Sequence, residues 1–278
     1  LTFNYKQLTD ESLYKEINRL FEFLNIAPFN CDKEEIINMT YKHPSLFNYS
    51  YNVLIKKINS LKTLGYIEEE LIIIFKKNPV ILLLSFDNIN QKINNFIKIG
   101  FTKENVLNMS KRNCELFSFS EEYISSKIND IINLGYSKDE TIQMLIINPN
   151  ILDFSIDTIK RKIIDITTIG YKKNEVLKMI KMLPQILGYD INYLKEKINE
   201  LEKLDFTLDE ILKMSKTFPQ ILVIGTENLK KKINELMQLG YSRDTVLKMI
   251  KKNPGITTNS VKNLIIKKEY MKSIGYKE

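Results

Sequence analysis

One lysine recurs through this chain of 278 residues at a constant step: Lys57, Lys92, Lys127, Lys162, Lys197, Lys232 and Lys267 stand 35 residues apart. Cations at a fixed repeat can neutralise an anion that itself repeats, and the phosphate backbone of a nucleic acid is such an anion. In the later copies Lys160, Arg161, Lys195, Lys230 and Lys231 thicken the column. Tyr123 and Tyr193 lie one turn before ladder lysines, where a ring can stack on a base, although ordinary packing is the favoured reading. A competing reading of the ladder is local. Asp130, Asp165, Glu200 and Glu235 follow three residues behind it, at the spacing of intrahelical ion pairs worth ~0.3 kcal/mol each.

Other chemistry finds little support in the residue types. His43 is the single histidine, and its slot before a proline holds asparagine at Asn78, Asn113, Asn148 and Asn253, which makes it a turn residue. There is no second histidine for a metal cluster, no glycine-rich Lys-Ser/Thr phosphate loop, and no cysteine pair at ligand spacing. A non-enzymatic protein without metal or cofactor is therefore expected. Cys31 and Cys114 fill slots held elsewhere by aromatics and proline, which suits buried thiols in a reducing compartment.

The elements that must position the lysines are written in two further ladders of the same period. Prolines stand at Pro44, Pro79, Pro149, Pro184, Pro219 and Pro254, with Cys114 in the remaining slot. Glycines stand at Gly65, Gly100, Gly135, Gly170, Gly240 and Gly275, with Asp205 in the remaining slot, and an aromatic follows each rung. Seven copies of one unit account for residues 31–278, the last of them incomplete. Within a copy, a first helix opens at a short polar residue (Ser50, Ser85, Ser120, Ser155, Asp190, Ser260) and closes at the glycine, which can take the left-handed conformation. A second helix opens at capping boxes such as Ser137 to Glu140 and Thr207 to Glu210, and stops before the proline. Ile124, Ile128, Ile131 and Leu134 recur at steps of four, three and three, an apolar stripe on one helix face. A two-helix unit cannot bury such a stripe alone, so the copies must stack into an all-α solenoid. The aromatic after each glycine reads as core. A capping helix over roughly Asp10 to Leu24 is expected within residues 1–30.

Charge separates the chain into two parts. Residues 1–140 carry 17 basic and 18 acidic side chains and residues 141–278 carry 24 and 16, so the net charge of +7 comes from the C-terminal part. If a polyanion binds, that part should grip it. Lys178, Lys181, Lys213, Lys216, Lys248 and Lys251, toward the ends of second helices, read mainly as a solvated face. The most apolar run, around Leu71 to Phe86, is broken by Lys76, Lys77 and Pro79 and cannot span a bilayer. The chain opens on Leu1 without an apolar or arginine-rich leader, which implies a removed targeting segment or a trimmed start.

The alternation of KEKINELEKL with PQIL from Lys195 through Leu222, and of KKKINELMQLGY with VLKMIKKNP from Lys230 through Pro254, resembles the repeat of the mitochondrial transcription termination factor (mTERF) family. The resemblance extends over residues 31–278. It implies a left-handed superhelix whose units each hold two α-helices and a short 3₁₀ turn, with a concave basic groove. It also implies a monomer in a mitochondrion or plastid, or in the cytosol of a bacterium, binding double-stranded DNA in transcription regulation or termination. An RNA-binding role in ribosome or intron processing and a protein-interaction scaffold are the alternatives. Cys114 for proline, Asp205 for glycine and the short last copy depart from the pattern.

Overall fold

The computed structural model describes residues 10–260 together with 262, 265, 266, 269, 270 and 273–275, and among these there is no strand. Two compact halves, Leu1–Asp153 and Phe154–Glu278, make up the chain.

The first half opens with α1 (Asp10–Leu24), which packs on α2 (Lys33–Lys42) and on the 3₁₀ turn Pro44–Asn48. Its helix pairs follow in order: α3 (Tyr51–Lys62) with α4 (Glu68–Lys77), then the single turn α5 (Val80–Leu83), then α6 (Phe86–Ile99) with α7 (Lys103–Ser110), the 3₁₀ turn Cys114–Ser118, and α8 (Glu121–Ile132) with α9 (Lys138–Ile147) and the 3₁₀ turn Pro149–Asp153. First helices pack on first helices (α3 on α6, α6 on α8), and second on second (α2 on α4, α7 on α9).

The second half repeats the plan with α10 (Ile156–Thr167) and α11 (Lys173–Met182), α12 (Ile191–Glu202) and α13 (Leu208–Thr217), and α14 (Thr226–Gln238) and α15 (Arg243–Lys252), each pair closed by a 3₁₀ turn at Pro184–Gly188, Pro219–Leu222 and Pro254–Thr257. Here α10 packs on α12 and α12 on α14, while α11 packs on α13 and α13 on α15.

The punctuation does what its chemistry dictates. Proline excludes helical backbone from the residue before it, and Leu183, Phe218 and Asn253 sit at φ/ψ of −137/76, −144/74 and −140/83. Cys114 keeps the same turn without proline, because Asn113 (φ −145, ψ 96) uses its side-chain oxygen to accept from the Glu115 amide. In the turn between the two helices of a pair, Gly100 and Gly170 have φ of 126° and 125°, and Asp205, the one substitute in that ladder, is itself held at φ 73°. Four of the expected N-caps, Ser85, Ser120, Ser155 and Asp190, accept a first-turn amide, whereas Ser50 and Gly225 make no side-chain cap. Capping boxes close at Asp32/Glu35, Thr102/Asn105, Ser137/Glu140 and Thr207/Glu210.

The core is the set of stripes. Ile159, Ile163 and Ile166 are buried on α10, Leu194, Ile198 and Leu201 on α12, and Leu229, Ile233 and Leu236 on α14, always at steps of four and three. The aromatics behind Gly65, Gly100, Gly135 and Gly170, namely Tyr66, Phe101, Tyr136 and Tyr171, are buried too, as is Phe206 behind Asp205, whereas Tyr241 behind Gly240 is only half-buried. Tyr66 and Tyr171 each share a 2.6 Å hydrogen bond with a serine of the next second helix, Ser110 and Ser215. That pairing lets a polar ring end lie in the core without an orphaned hydroxyl. Burial pushes the Tyr171 phenol up to about 12.

Candidate nucleic-acid interface

The ladder lysines leave the first helices beside a buried stripe residue, and five of them, Lys57, Lys92, Lys162, Lys197 and Lys232, are half-buried. Their stems lie in the seams and their ammonium groups reach the following repeat. Lys57 Nζ donates to the Leu84 carbonyl at 2.8 Å, Lys92 to Phe119 at 2.5 Å, Lys162 to Tyr189 at 2.9 Å and Lys232 to Asn259 at 2.9 Å. Each acceptor belongs to the residue just before the first-helix N-cap slot of the next copy. Lys197 differs: it donates to Glu200 Oε2 at 2.6 Å and to Thr226 Oγ1 of the next copy at 3.1 Å. The i,i+3 ion pairs read from the sequence form at Lys197–Glu200 and at Lys232–Glu235, the latter at 3.0 Å. Lys127 is buried, at 5% exposure, with its ammonium 5.3 Å from the centre of the Tyr123 ring. Burial pulls the Lys57 ammonium below the usual lysine range. Lys267 lies outside the described residues.

The flanking cations are placed differently. Lys160 and Arg161 on α10, Lys195 on α12, and Lys230 and Lys231 on α14 are all exposed. They sit on three first helices that pack in succession within the second half. Arg161 and Lys162 line a cleft of about 290 Å³ with Asp165, Tyr189 and Asp190. Lys230 and Lys231 line a shallower one of about 540 Å³ with Glu227 and Glu235, and Lys230 pairs with Glu227 at 2.7 Å. At such exposure this pair contributes little and leaves the cation reachable.

Tyr123 and Tyr193 are built into the protein. Tyr123 stacks on Phe119 with ring centres 4.9 Å apart, and its hydroxyl donates to the Leu152 carbonyl at 2.8 Å. Tyr193 stacks on Tyr189 at 4.9 Å, with the Lys197 ammonium 5.6 Å from its ring centre. One face of each ring is thus already covered by a neighbouring ring.

The second-helix lysines divide into two sets. Lys178, Lys213 and Lys248 are exposed, as a solvated face should be. Lys216 and Lys251 instead bind Glu175 at 2.8 Å and Glu210 at 2.7 Å, and in the first half Lys76 and Lys111 bind Glu35 at 3.0 Å and Glu70 at 2.7 Å. Each pair joins the last turn of one second helix to the first turn of the previous one, 41 residues earlier. The Lys216 and Lys251 contacts hold the Glu175 and Glu210 carboxyls below the usual range. Sequence reading missed this device, yet a signal was there: where the glutamate slot holds Asn105, the lysine slot 41 residues on holds Ile146.

Among the described residues no group of three His, Cys, Asp or Glu side chains is arranged to hold a metal, and no helix is long and apolar enough to cross a membrane. Cys31 and Cys114 are buried free thiols, each pushed up to about 11 by burial and so protonated near neutrality.

Helix pairs at a constant step of 35 residues, closed by proline turns in every copy but that of Cys114 and packed first on first and second on second, define a helical-repeat protein. The family model of mTERF matches residues 4–129 and 117–238, and the chain belongs to the mTERF family. No curated protein matches it significantly. Membership suggests a nucleic-acid-binding repeat protein of organelle gene expression.

Proposed function

We propose that this protein is a non-enzymatic factor that binds double-stranded DNA as a monomer and acts in organelle transcription, at its regulation or termination, in a mitochondrion or plastid. The observation that carries this reading is the placement of charge. Residues 154–278 hold 24 basic and 15 acidic side chains, and five of those cations, Lys160, Arg161, Lys195, Lys230 and Lys231, stand exposed on three successively packed first helices. A row of exposed cations at helix-to-helix intervals suits phosphates along a backbone, and each neutralised phosphate adds about 0.9 to the slope of log affinity against log salt for B-form DNA.

The experiment compares two columns of equal charge. Lys160, Lys195 and Lys230 replaced together by glutamine should weaken binding to every duplex sequence and flatten the salt slope by up to about 2.7, three contacts at about 0.9 each. Lys178, Lys213 and Lys248 replaced together remove the same charge from exposed positions on second helices. Fluorescence anisotropy on random duplex DNA, single-stranded DNA and structured RNA at a series of salt concentrations reads both variants. Equal losses in the two would reduce the claim to general basicity. Tighter binding to RNA than to duplex would replace DNA as the partner, and an unaltered protein that binds none of the three would leave a protein-interaction scaffold.

A further inference from the structure

We propose that the lysine ladder sets the register of each repeat on the next, and that these lysines are positioning residues behind the phosphate-binding face rather than part of it. The assignment of the face to the flanking cations rests on the nucleic-acid reading; the bracing role does not.

The carbonyl just before a helix N-cap lies outside the helical ladder, and it is part-buried at Leu84, Phe119 and Tyr189 and exposed at Asn259, so a donor from the neighbouring copy takes a place that water would otherwise fill. In this fold that carbonyl falls where the chain turns from the 3₁₀ segment into the next first helix, against the preceding copy. A cation from the preceding first helix satisfies it four times over, always 27 residues ahead: Lys57 to Leu84, Lys92 to Phe119, Lys162 to Tyr189, and Lys232 to Asn259. The reach requires a long unbranched stem along an apolar seam with a compact donor at its tip, which is what lysine supplies. Where Gly225 stands in the N-cap slot, Lys197 still reaches the same next-copy corner, through Thr226 Oγ1 at 3.1 Å.

A second observation, independent of geometry, separates the two columns. The ladder is lysine in every copy, including Lys57 and Lys92 in a first half that carries no positive excess. The column of Lys160, Lys195 and Lys230 is basic only in the second half, matched in the other copies by Ile55, Asn90, Ser125 and Ile265, whereas the column of Arg161 and Lys231 is mixed, with Lys56 in the first half and Glu196 in the second. A residue demanded by the repeat-to-repeat contact must appear wherever that contact is made, whereas a residue demanded by a ligand need appear only where the ligand lies.

The test replaces Lys162 and Lys232 by methionine, which keeps the stem and removes the donor, in the full chain. Hydrogen exchange followed by mass spectrometry should show protection lost first at the start of α12, residues 190–194, and in the segment around Asn259, ahead of other segments. The salt slope of duplex binding should stay within about 0.3 of the parent. A slope flattened by about 1.8, two contacts at about 0.9 each, with unchanged exchange would make these lysines phosphate contacts and overturn the proposal. Unchanged exchange alone would overturn it as well. If the double variant does not fold, Lys162→Met, which leaves the other braces in place, is read the same way. A parent protein that binds no nucleic acid would defeat the reading of the face, while the exchange result would still decide the brace.

Discussion

Gly170 closes the first helix that carries Lys160, Arg161 and Lys162, and its replacement by alanine is the sharpest test of how the repeat is punctuated. Its φ is 125°, a conformation that an L side chain rarely adopts, and a Cβ built there would lie 3.2 Å from Leu212 Cδ1 of the next second helix. Two costs follow. Left-handed backbone costs a side chain about 1–2 kcal/mol, and pushing a packed leucine off its rotamer costs about 0.5–1.5 kcal/mol. Gly170→Ala should therefore destabilise by about 1.5–3.5 kcal/mol, which at about 2 °C per kcal/mol for a large chain is a fall of about 3–7 °C in Tm. The matched control is Gly188→Ala. Gly188 ends the 3₁₀ turn Pro184–Gly188, has no positive φ, and a Cβ there meets nothing within 4 Å. Restricting the unfolded chain should make that variant more stable by about 0.4–1 kcal/mol. Urea titrations followed by circular dichroism at 222 nm, compared at equal m-value, measure both. Equal stability of Gly170→Ala and the parent, or a loss in Gly188→Ala as large as in Gly170→Ala, would refute the reasoning that backbone conformation at the glycine rung sets the helix end.

Two further outcomes follow from the packing. Ile163, 4% exposed between α10 and its neighbours, should cost about 2–5 kcal/mol on replacement by alanine, with exchange protection lost first in adjacent repeats; uniform loss across all repeats would contradict the stacked picture. The Tyr171 phenol is held up to about 12 by burial while an unfolded phenol titrates near 10. Above pH 10 the unfolded chain therefore binds fewer protons, so this group's contribution, full below about pH 10, is lost as the pH rises through about 12. Tyr171→Phe should flatten that alkaline decline in urea titrations at pH 9 to 11, and Ser215 keeps acceptors at the Ile211 and Leu212 carbonyls in the variant.

Much of the fold was legible because its rules are local. Proline at Pro184, Pro219 and Pro254 and glycine at Gly100 and Gly170 act on their own backbone or their neighbour's, so their spacing alone gave the helix ends. Stripe residues such as Ile163 and Ile198 obey the helical period and are buried as that period requires. Asp205 shows the limit of reading by residue type: the position keeps its left-handed φ of 73° after glycine is gone, and Arg243 pairs with it at 3.0 Å. The site was less legible. Whether Lys162 lies free or donates to Tyr189 depends on where a carbonyl 27 residues away comes to rest, and no propensity or spacing within one helix contains that information. The Lys216–Glu175 pair has the same character, since Glu175 already accepts from the Lys172 amide of its own first turn at 2.8 Å, a local role that hides its second one.

The two kinds of column suggest how a repeat protein divides structure from function. A slot that must contact the next copy sees the same neighbour in every repeat, so identical packing selects an identical residue, and constancy along the chain marks the seam. A slot that meets a ligand sees solvent in repeats the ligand does not touch, so its residue can drift, and variation that follows net charge marks the face. On that reasoning Lys57, Lys92, Lys162 and Lys232 belong with Gly100, Gly170 and the prolines as parts of the frame. Lys160, Lys195 and Lys230 belong with the positive excess of residues 154–278, and the length of nucleic acid gripped should scale with how many successive copies keep that second column basic.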